Sequence, residues 1–295
     1  MKIIRAKVLG YCMGVRRAVT SAEDALKANT GRVFTLGPLI HNPVALRTLS
    51  ERGLSVLSAD DIDSLDSQDT VIIRAHGVPP LLERKLRETG ATVVNATCPR
   101  VLISQKRVAE YVKQGFSVIF AGDKNHGEVV GIAGYAEEAA GEKNDGKKYF
   151  YLVENRADTQ KLIESGDLQS KKIVLLSQTT FSPKEFELIV DCLKSAQLVS
   201  LEVLNTICPA TRERQEALSE LAKEVDGIIV IGGKDSANTK RLFSSAQKLC
   251  HTVSFIESAD ELTADFAALG TVGITAGAST PDSVISAVEE KLFAM

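Results

Sequence analysis

Short runs of β-branched and apolar residues alternate along this chain with longer stretches whose apolar positions recur every three or four residues. Residues 2–9 (KIIRAKVL) predict a strand. Residues 15–30 predict a helix, since Val15, Ala18, Val19, Ala22, Ala25 and Leu26 fall at helical spacing, with Gly31 placed to cap it. RVFTLG (32–37) reads as a short buried strand, PLIHN as a loop and residues 43–52 as a second helix. SADDIDSLDSQD reads as a solvated connection, because it lacks the glycine pattern of a calcium loop. TVIIRAHGVPP predicts a strand and a loop, and LLERKLRETG a helix with a glycine stop.

ATVVNATCPR opens the next stretch in the same manner. Pro99 suits the first position of a helix, which carries Val101, Val108 and Val112. SVIFAGDKNHGEVVG predicts a strand running into a loop, and residues 137–148 (EEAAGEKNDGKK) an exposed turn. YFYLV and KIVLLSQTT read as strands, and SPKEFELIVDCLKS as a helix with a serine cap and an early proline. Farther on, Leu218, Leu221, Ala222 and Val225 share a helical face. DGIIVIGGKDSANT and TVGITAGASTP each read as strand then loop, and DSVISAVEEKLFAM as a closing helix. This alternation predicts an α/β fold of mainly parallel sheets with helices on both faces. Ligands of such sheets bind beyond the carboxyl ends of the strands, where every polar loop named here falls.

A threefold repetition organises these elements. Cys12, Cys98 and Cys208 each follow a β-branched run and precede a helical stretch that stops at a glycine: Gly31, Gly115 and Gly227. A second apolar run then ends in a polar loop at Gly37, Gly122 or Gly232. The cysteine-to-glycine spacing is 25 residues in the first copy and 24 in the other two. A third apolar run, another polar loop, a proline and a helix complete each copy. The repeat predicts three pseudo-symmetric α/β lobes, at residues 1–97, 98–207 and 208–295, each presenting one thiolate to a shared centre.

Composition narrows the function. Of 295 residues, 44% are hydrophobic and 25% charged, ordinary values for a globular protein. The net charge of −3, without a long basic run, gives nucleic-acid binding no electrostatic support. No apolar run approaches the ~20 residues of a membrane span, and the N-terminus, which goes straight into a strand-like stretch, is not expected to be a signal peptide. Five scattered cysteines argue against a disulfide framework and for a reducing, cytoplasmic compartment. Cys192 and Cys250 lie on or near helical apolar faces and are expected to be buried small hydrophobes.

A cysteine at a helix start feels the positive end of the helix dipole, which favours thiolate. Three thiolates suit three irons of a 4Fe–4S cluster, one per chain, leaving a fourth iron to bind substrate as a Lewis acid. Zinc is the rival, although the usual CxxC pairs are missing. His41, His76 and His126 sit in strand-end loops. The third copy has no histidine there and supplies Ser236, Asn238 and Ser279. Imidazoles, hydroxyls, an amide and glycine-freed backbone N–H groups suit phosphate oxygens, although no P-loop or Rossmann fingerprint is present. Glu128, two residues past His126, is a candidate acid. Thr179 and Thr180, at a strand end, are candidate hydroxyl relays.

The motifs YCMGVRRAV, GPLIHN, RAHGV, NATCP, HGEVVG, SQTT, GGKDSANT and GASTP, in this order over almost the whole chain, resemble the LytB/IspH family of 4-hydroxy-3-methylbut-2-enyl diphosphate reductases. That family carries out the last step of the methylerythritol phosphate pathway of isoprene biosynthesis. The resemblance implies a trefoil of three lobes around a 4Fe–4S cluster ligated by Cys12, Cys98 and Cys208. It places His41, His76, His126, Ser236, Asn238 and Ser279 around the diphosphate, and gives Glu128 and Thr179 proton delivery. It also implies a one-electron donor such as ferredoxin or flavodoxin. Many relatives carry Ser-Ser-Asn where this chain has Ser236-Ala237-Asn238, so one hydroxyl contact is missing or replaced. A cluster-dependent dehydratase and a non-enzymatic phosphometabolite-binding or redox-sensing protein remain the other classes.

Overall fold

The strand-to-helix junctions predicted at the cysteines are present. The computed structural model describes residues 1–28, 31–143, 145–169, 171–196 and 198–295. β1 (Lys2–Arg5) leads through Cys12 into α1 (Met13–Ala28); positions 29 and 30 of the predicted helix lie outside the described residues. Then come β2 (Val33–Leu36), α2 (Pro43–Glu51), β3 (Leu54–Leu57), β4 (Thr70–Ile73), α3 (Pro80–Glu88) and β5 (Thr92–Asn95), with a short 3-10 turn at Ala59–Ser64 in the acidic connection. The middle of the chain holds α4 (Pro99–Lys113), β6 (Phe116–Ala121), α5 (Gly127–Lys143), β7 (Phe150–Val153), α6 (Arg156–Glu164), β8 (Lys172–Ser177), α7 (Pro183–Lys194) and β9 (Ser200–Val203). The last third holds α8 (Pro209–Leu221), β10 (Gly227–Ile231), α9 (Ala237–Leu249), β11 (Thr252–Ile256), β12 (Thr271–Ala276) and α10 (Asp282–Phe293).

The strands form three four-stranded parallel sheets with the orders β3-β2-β4-β5, β7-β6-β8-β9 and β1-β12-β10-β11. Read from its other edge, the third is β11-β10-β12-β1. All three then share one topology, with β1 in the place of β5 and β9. The strand that precedes each cysteine is therefore a sheet edge, and the cysteine lies where the chain leaves that sheet. Lys2 pairs with Thr271 and Arg5 with Ile274, so the first strand joins the last sheet.

Residues 137–148 are not wholly a turn, because α5 continues through Lys143. Its Val129, Ile132, Ala136 and Ala139 are buried. Gly134 does not break it: a Cβ there would lie 2.6 Å from Pro79 Cβ, so the glycine admits a close neighbour.

By packing, the chain divides into two compact units, residues 1–58, 68–75 and 209–295 in one and residues 59–67 and 76–208 in the other. The first has a core of Ile229, Ile231, Val272, Ile274, Val288 and Leu292. In the second, Ile119, Ile173, Leu175 and Phe181 anchor one face of a sheet, and Val118, Phe120, Val174 and Leu176 the other. This doubly covered pattern explains why the central strands read as unbroken apolar runs.

Candidate active site

In each sheet the connections diverge from the two central strands, β2 and β4, β6 and β8, or β10 and β12. Such a switch in strand order opens a crevice at the carboxyl ends. The candidate polar residues lie in these six connections or in the first helical turn beyond them: His41, His76, His126 with Glu128, Thr179, Ser236 with Asn238, and Ser279.

In the first unit, Asn42 caps α2, its Oδ1 accepting from Ala45 N at 2.9 Å, and Pro43 follows it. This cap fixes the chain at His41. Ser279 Oγ donates to the His41 carbonyl at 2.9 Å, so in this arrangement its proton is turned away from an incoming anion. A Cβ at Gly233 would lie 2.4 Å from the same carbonyl, which only glycine permits. Burial pushes the His41 imidazole below its ordinary value, the positive charges of Arg74 and Lys240 act the same way, and Asp235 opposes them. Arg74 stands directly after the fully buried β4, and its guanidinium lies over Gly37, whose φ of +69° suits glycine. Sequence reasoning passed over Arg74; a cation ending an apolar strand was the available signal.

Ser236 caps α9, its Oγ accepting from Thr239 N at 3.3 Å. Its hydroxyl proton is not used by that bond and can serve an anion. Asn238 is 4% exposed, and its Nδ2 has no hydrogen-bond partner among the described residues. A buried amide donor without an acceptor suits an anionic oxygen.

The second unit holds the carboxyl group. Glu128 is 1% exposed. One of its oxygens accepts from Thr179 N and the other from Thr179 Oγ1, both at 2.7 Å. The Thr179 carbonyl accepts from Cys208 N at 2.8 Å, so threonine, acid and third cysteine loop form one connected group. His126 Nδ1 accepts from Glu128 N at 3.2 Å, which leaves Nε2 as the protonated nitrogen of the neutral ring. The His76 and His126 rings meet edge to face, their centroids 5.1 Å apart. Thr180 Oγ1 accepts from Gln178 Nε2 at 2.9 Å, and Gln178 Oε1 accepts from Asp123 N at 2.8 Å. Thr180 is thus tied to a buried glutamine that shapes the loop before His126.

Each of Cys12, Cys98 and Cys208 immediately precedes a helix and is half-buried. Cys12 Sγ accepts from Val15 N at 3.5 Å, and Cys98 is the cap residue of α4. The first turns of α1, α4 and α8 contain no acidic residue, although helix starts favour them. No disulfide joins the described cysteines, and a free thiol at a helix start has the chemistry of a soft-metal ligand. Cys192 is buried and bonded to Gln160, and Cys250 bonds to the carbonyls of Asp226 and Thr252.

Among the described residues no helix is long and apolar enough to cross a membrane. A family model described as LytB protein matches residues 3–293. A 4-hydroxy-3-methylbut-2-enyl diphosphate reductase of Treponema denticola is 44% identical, with 99% of each chain covered. The same-named protein of Aquifex aeolicus is 38% identical over 98% of this chain and 95% of its own. A solved structure of (E)-4-hydroxy-3-methyl-but-2-enyl diphosphate reductase, described as the terminal enzyme of the non-mevalonate pathway, is 37% identical with a TM-score of 0.73, covering 100% and 99% of the two chains. The Plasmodium falciparum reductase structure is 26% identical with a TM-score of 0.85, covering 97% of this chain and 86% of that one. With the repeat, the three sheets and nearly the whole length accounted for, this chain belongs to the LytB protein family.

Proposed function

We propose that the protein reduces (E)-4-hydroxy-3-methylbut-2-enyl diphosphate to isopentenyl and dimethylallyl diphosphate, the terminal step of the non-mevalonate route to isoprenoids. The full-length match to reductases carries this reading. The reaction removes the C4 hydroxyl as water and consumes two electrons and two protons. A 4Fe–4S cluster held by Cys12, Cys98 and Cys208 supplies one-electron transfer and Lewis acidity toward that hydroxyl.

The protein's own residues hold the anion and move the proton. His126 offers its Nε2–H, Ser236 its hydroxyl and Asn238 its amide to diphosphate oxygens. His41, kept neutral by burial and by Arg74, also binds as a neutral ring. His76 supports His126 by their edge-to-face contact and contributes its own ring. Ser279 joins the diphosphate shell when its hydroxyl rotates off the His41 carbonyl. Ala237 adds no polar atom, so this loop works with one hydroxyl fewer than Ser-Ser-Asn. Glu128, through the Thr179 hydroxyl 2.7 Å away, delivers a proton to the departing oxygen. Each lobe (1–97, 98–207 and 208–295) supplies one cysteine. A ferredoxin or flavodoxin of a reducing cytoplasm supplies the electrons.

Anaerobic turnover of the hydroxybutenyl diphosphate with reduced viologen tests the function. The expected result is both C5 diphosphates, with two viologens oxidised per product. Product formed without reductant consumption would replace reduction by dehydration.

A further inference from the structure

Arg214 is a charged side chain that the reaction leaves without a task. It lies in α8 and is 3% exposed. Guanidinium groups are seldom buried so fully, because leaving water is costly unless their donors are satisfied. Nη2 donates to the Gly10 carbonyl at 2.5 Å and Nη1 to the Ala210 carbonyl at 3.1 Å. Gly10 stands two residues before Cys12, and Ala210 two residues after Cys208. One side chain therefore fastens the loop that delivers the first cysteine to the turn that leaves the third. Gly10 is itself confined: its φ is +75°, and a Cβ there would meet Asp282 Oδ1 at 3.1 Å and Ile285 Cδ1 at 3.2 Å.

We propose that Arg214 is a positioning residue for the thiolate centre, clasping the Cys12 loop to the base of α8 and keeping a fixed positive charge beside that loop. The inference rests on the reading of the three cysteines as cluster ligands. Reduction adds a negative charge to such a centre, and a nearby cation in a weakly screened interior favours the more negative state.

Two substitutions separate the clasp from the charge. Arg214→Lys keeps the charge but cannot hold both carbonyls; Arg214→Met keeps most of the stem and loses both functions. The anaerobically purified full-length proteins, checked by circular dichroism, are compared by three readouts. These are hydrogen exchange of residues 7–15, the rate of iron and sulfide loss, and the midpoint potential from a titration followed by electron paramagnetic resonance. In Arg214→Met, exchange in 7–15 is expected to rise roughly tenfold or more, the scale of a lost charge-assisted hydrogen bond. Cluster loss is expected to quicken in both variants. The potential is expected to move negative in Arg214→Met and to stay near the unaltered value in Arg214→Lys. Unchanged exchange in Arg214→Met overturns the clasp, and an unchanged potential overturns the charge. If the unaltered protein binds no iron or sulfide, the cluster reading and the charge role fall together, while exchange still decides the clasp. If Arg214→Met does not fold, Arg214→Lys decides: cluster loss and exchange equal to the unaltered protein overturn the proposal.

Discussion

Glu128→Gln is the substitution that most directly tests the proton path. The carboxyl is 1% exposed and accepts two bonds from Thr179, from N and from Oγ1, each at 2.7 Å. Glutamine has the same length. Its oxygen can take the Thr179 N–H, and its NH₂ can donate to the Thr179 hydroxyl, which then accepts instead of donating. The geometry survives, with the bond now running from residue 128 to the hydroxyl as in proton delivery, but an amide has no proton to release. Both hydrogen bonds are kept with altered partners, and each is worth about 0.5–1.5 kcal/mol, so rearranging one of them costs a fraction of that. The fold should therefore lose about 1 kcal/mol at most, within reach of a urea titration. General acid catalysis contributes about 100- to 10,000-fold, or roughly 2.7–5.4 kcal/mol of barrier. kcat is expected to drop by that factor in anaerobic assays with excess reduced viologen, with KM and pyrophosphate inhibition nearly unchanged. Thr179→Val should give a similar loss, and the double variant should lose little more, since both residues serve one path. A Glu128→Gln kcat within about threefold of the unaltered enzyme, an allowance set by the context-dependence of such effects, would refute the relay and leave a water or the diphosphate as the acid.

Four further outcomes are expected. Serine at Cys12, Cys98 or Cys208 should lose iron and sulfide by anaerobic analysis, while serine at Cys192 or Cys250 retains both; the reverse pattern would overturn the ligand set. His76→Ala and Asn238→Ala should weaken pyrophosphate inhibition about 10- to 150-fold with the cluster spectrum intact. Gly233→Ala should weaken it too, because the new Cβ must displace the His41 carbonyl now 2.4 Å away, so a normal inhibition constant would exclude that close approach. For His41 the folded value lies below the ordinary 6.5, so the unfolded chain binds more protons between the two values and stability falls as pH drops through that window. His41→Asn should therefore lose less stability than the unaltered protein between pH 7 and pH 5, as read from urea midpoints.

The cysteine junctions were legible in the chain because a β-branched run, a cysteine and, after Cys98 and Cys208, a first-turn proline are local signals. The strand-end loops were legible for the same reason, since buried parallel strands read as continuous apolar runs that stop abruptly. Other features depend on neighbours distant in sequence. β3 (LSVL) buries just its two ends, and so offers no clear period. The end of α5 was obscured by its polar residues and Gly141, which the helix carries without a break. The membership of β1 in the last sheet follows from its pairing with β12, which no local pattern announces. Arg214 looked like one polar residue in TRERQ; its burial against the Gly10 carbonyl links positions 204 apart in the chain.

The pairing of Lys2–Arg5 with Thr271–Ile274 orders events during synthesis. A ribosome working at about 5–20 residues per second needs roughly 13–54 s to travel from one partner strand to the other. Until then the first-made strand has no sheet edge to join. The loop holding Cys12 hangs from that strand, and its clasp, Arg214, is also made late. The last two cysteine junctions can settle against strands already translated, whereas the first stays open until the chain is almost finished. Iron and sulfide delivered to the nascent chain would meet an incomplete ligand set. With the proposed ligand set, metal loading would follow translation, and a truncation that removes β12 should yield protein that cannot be loaded even though all the cysteines are present.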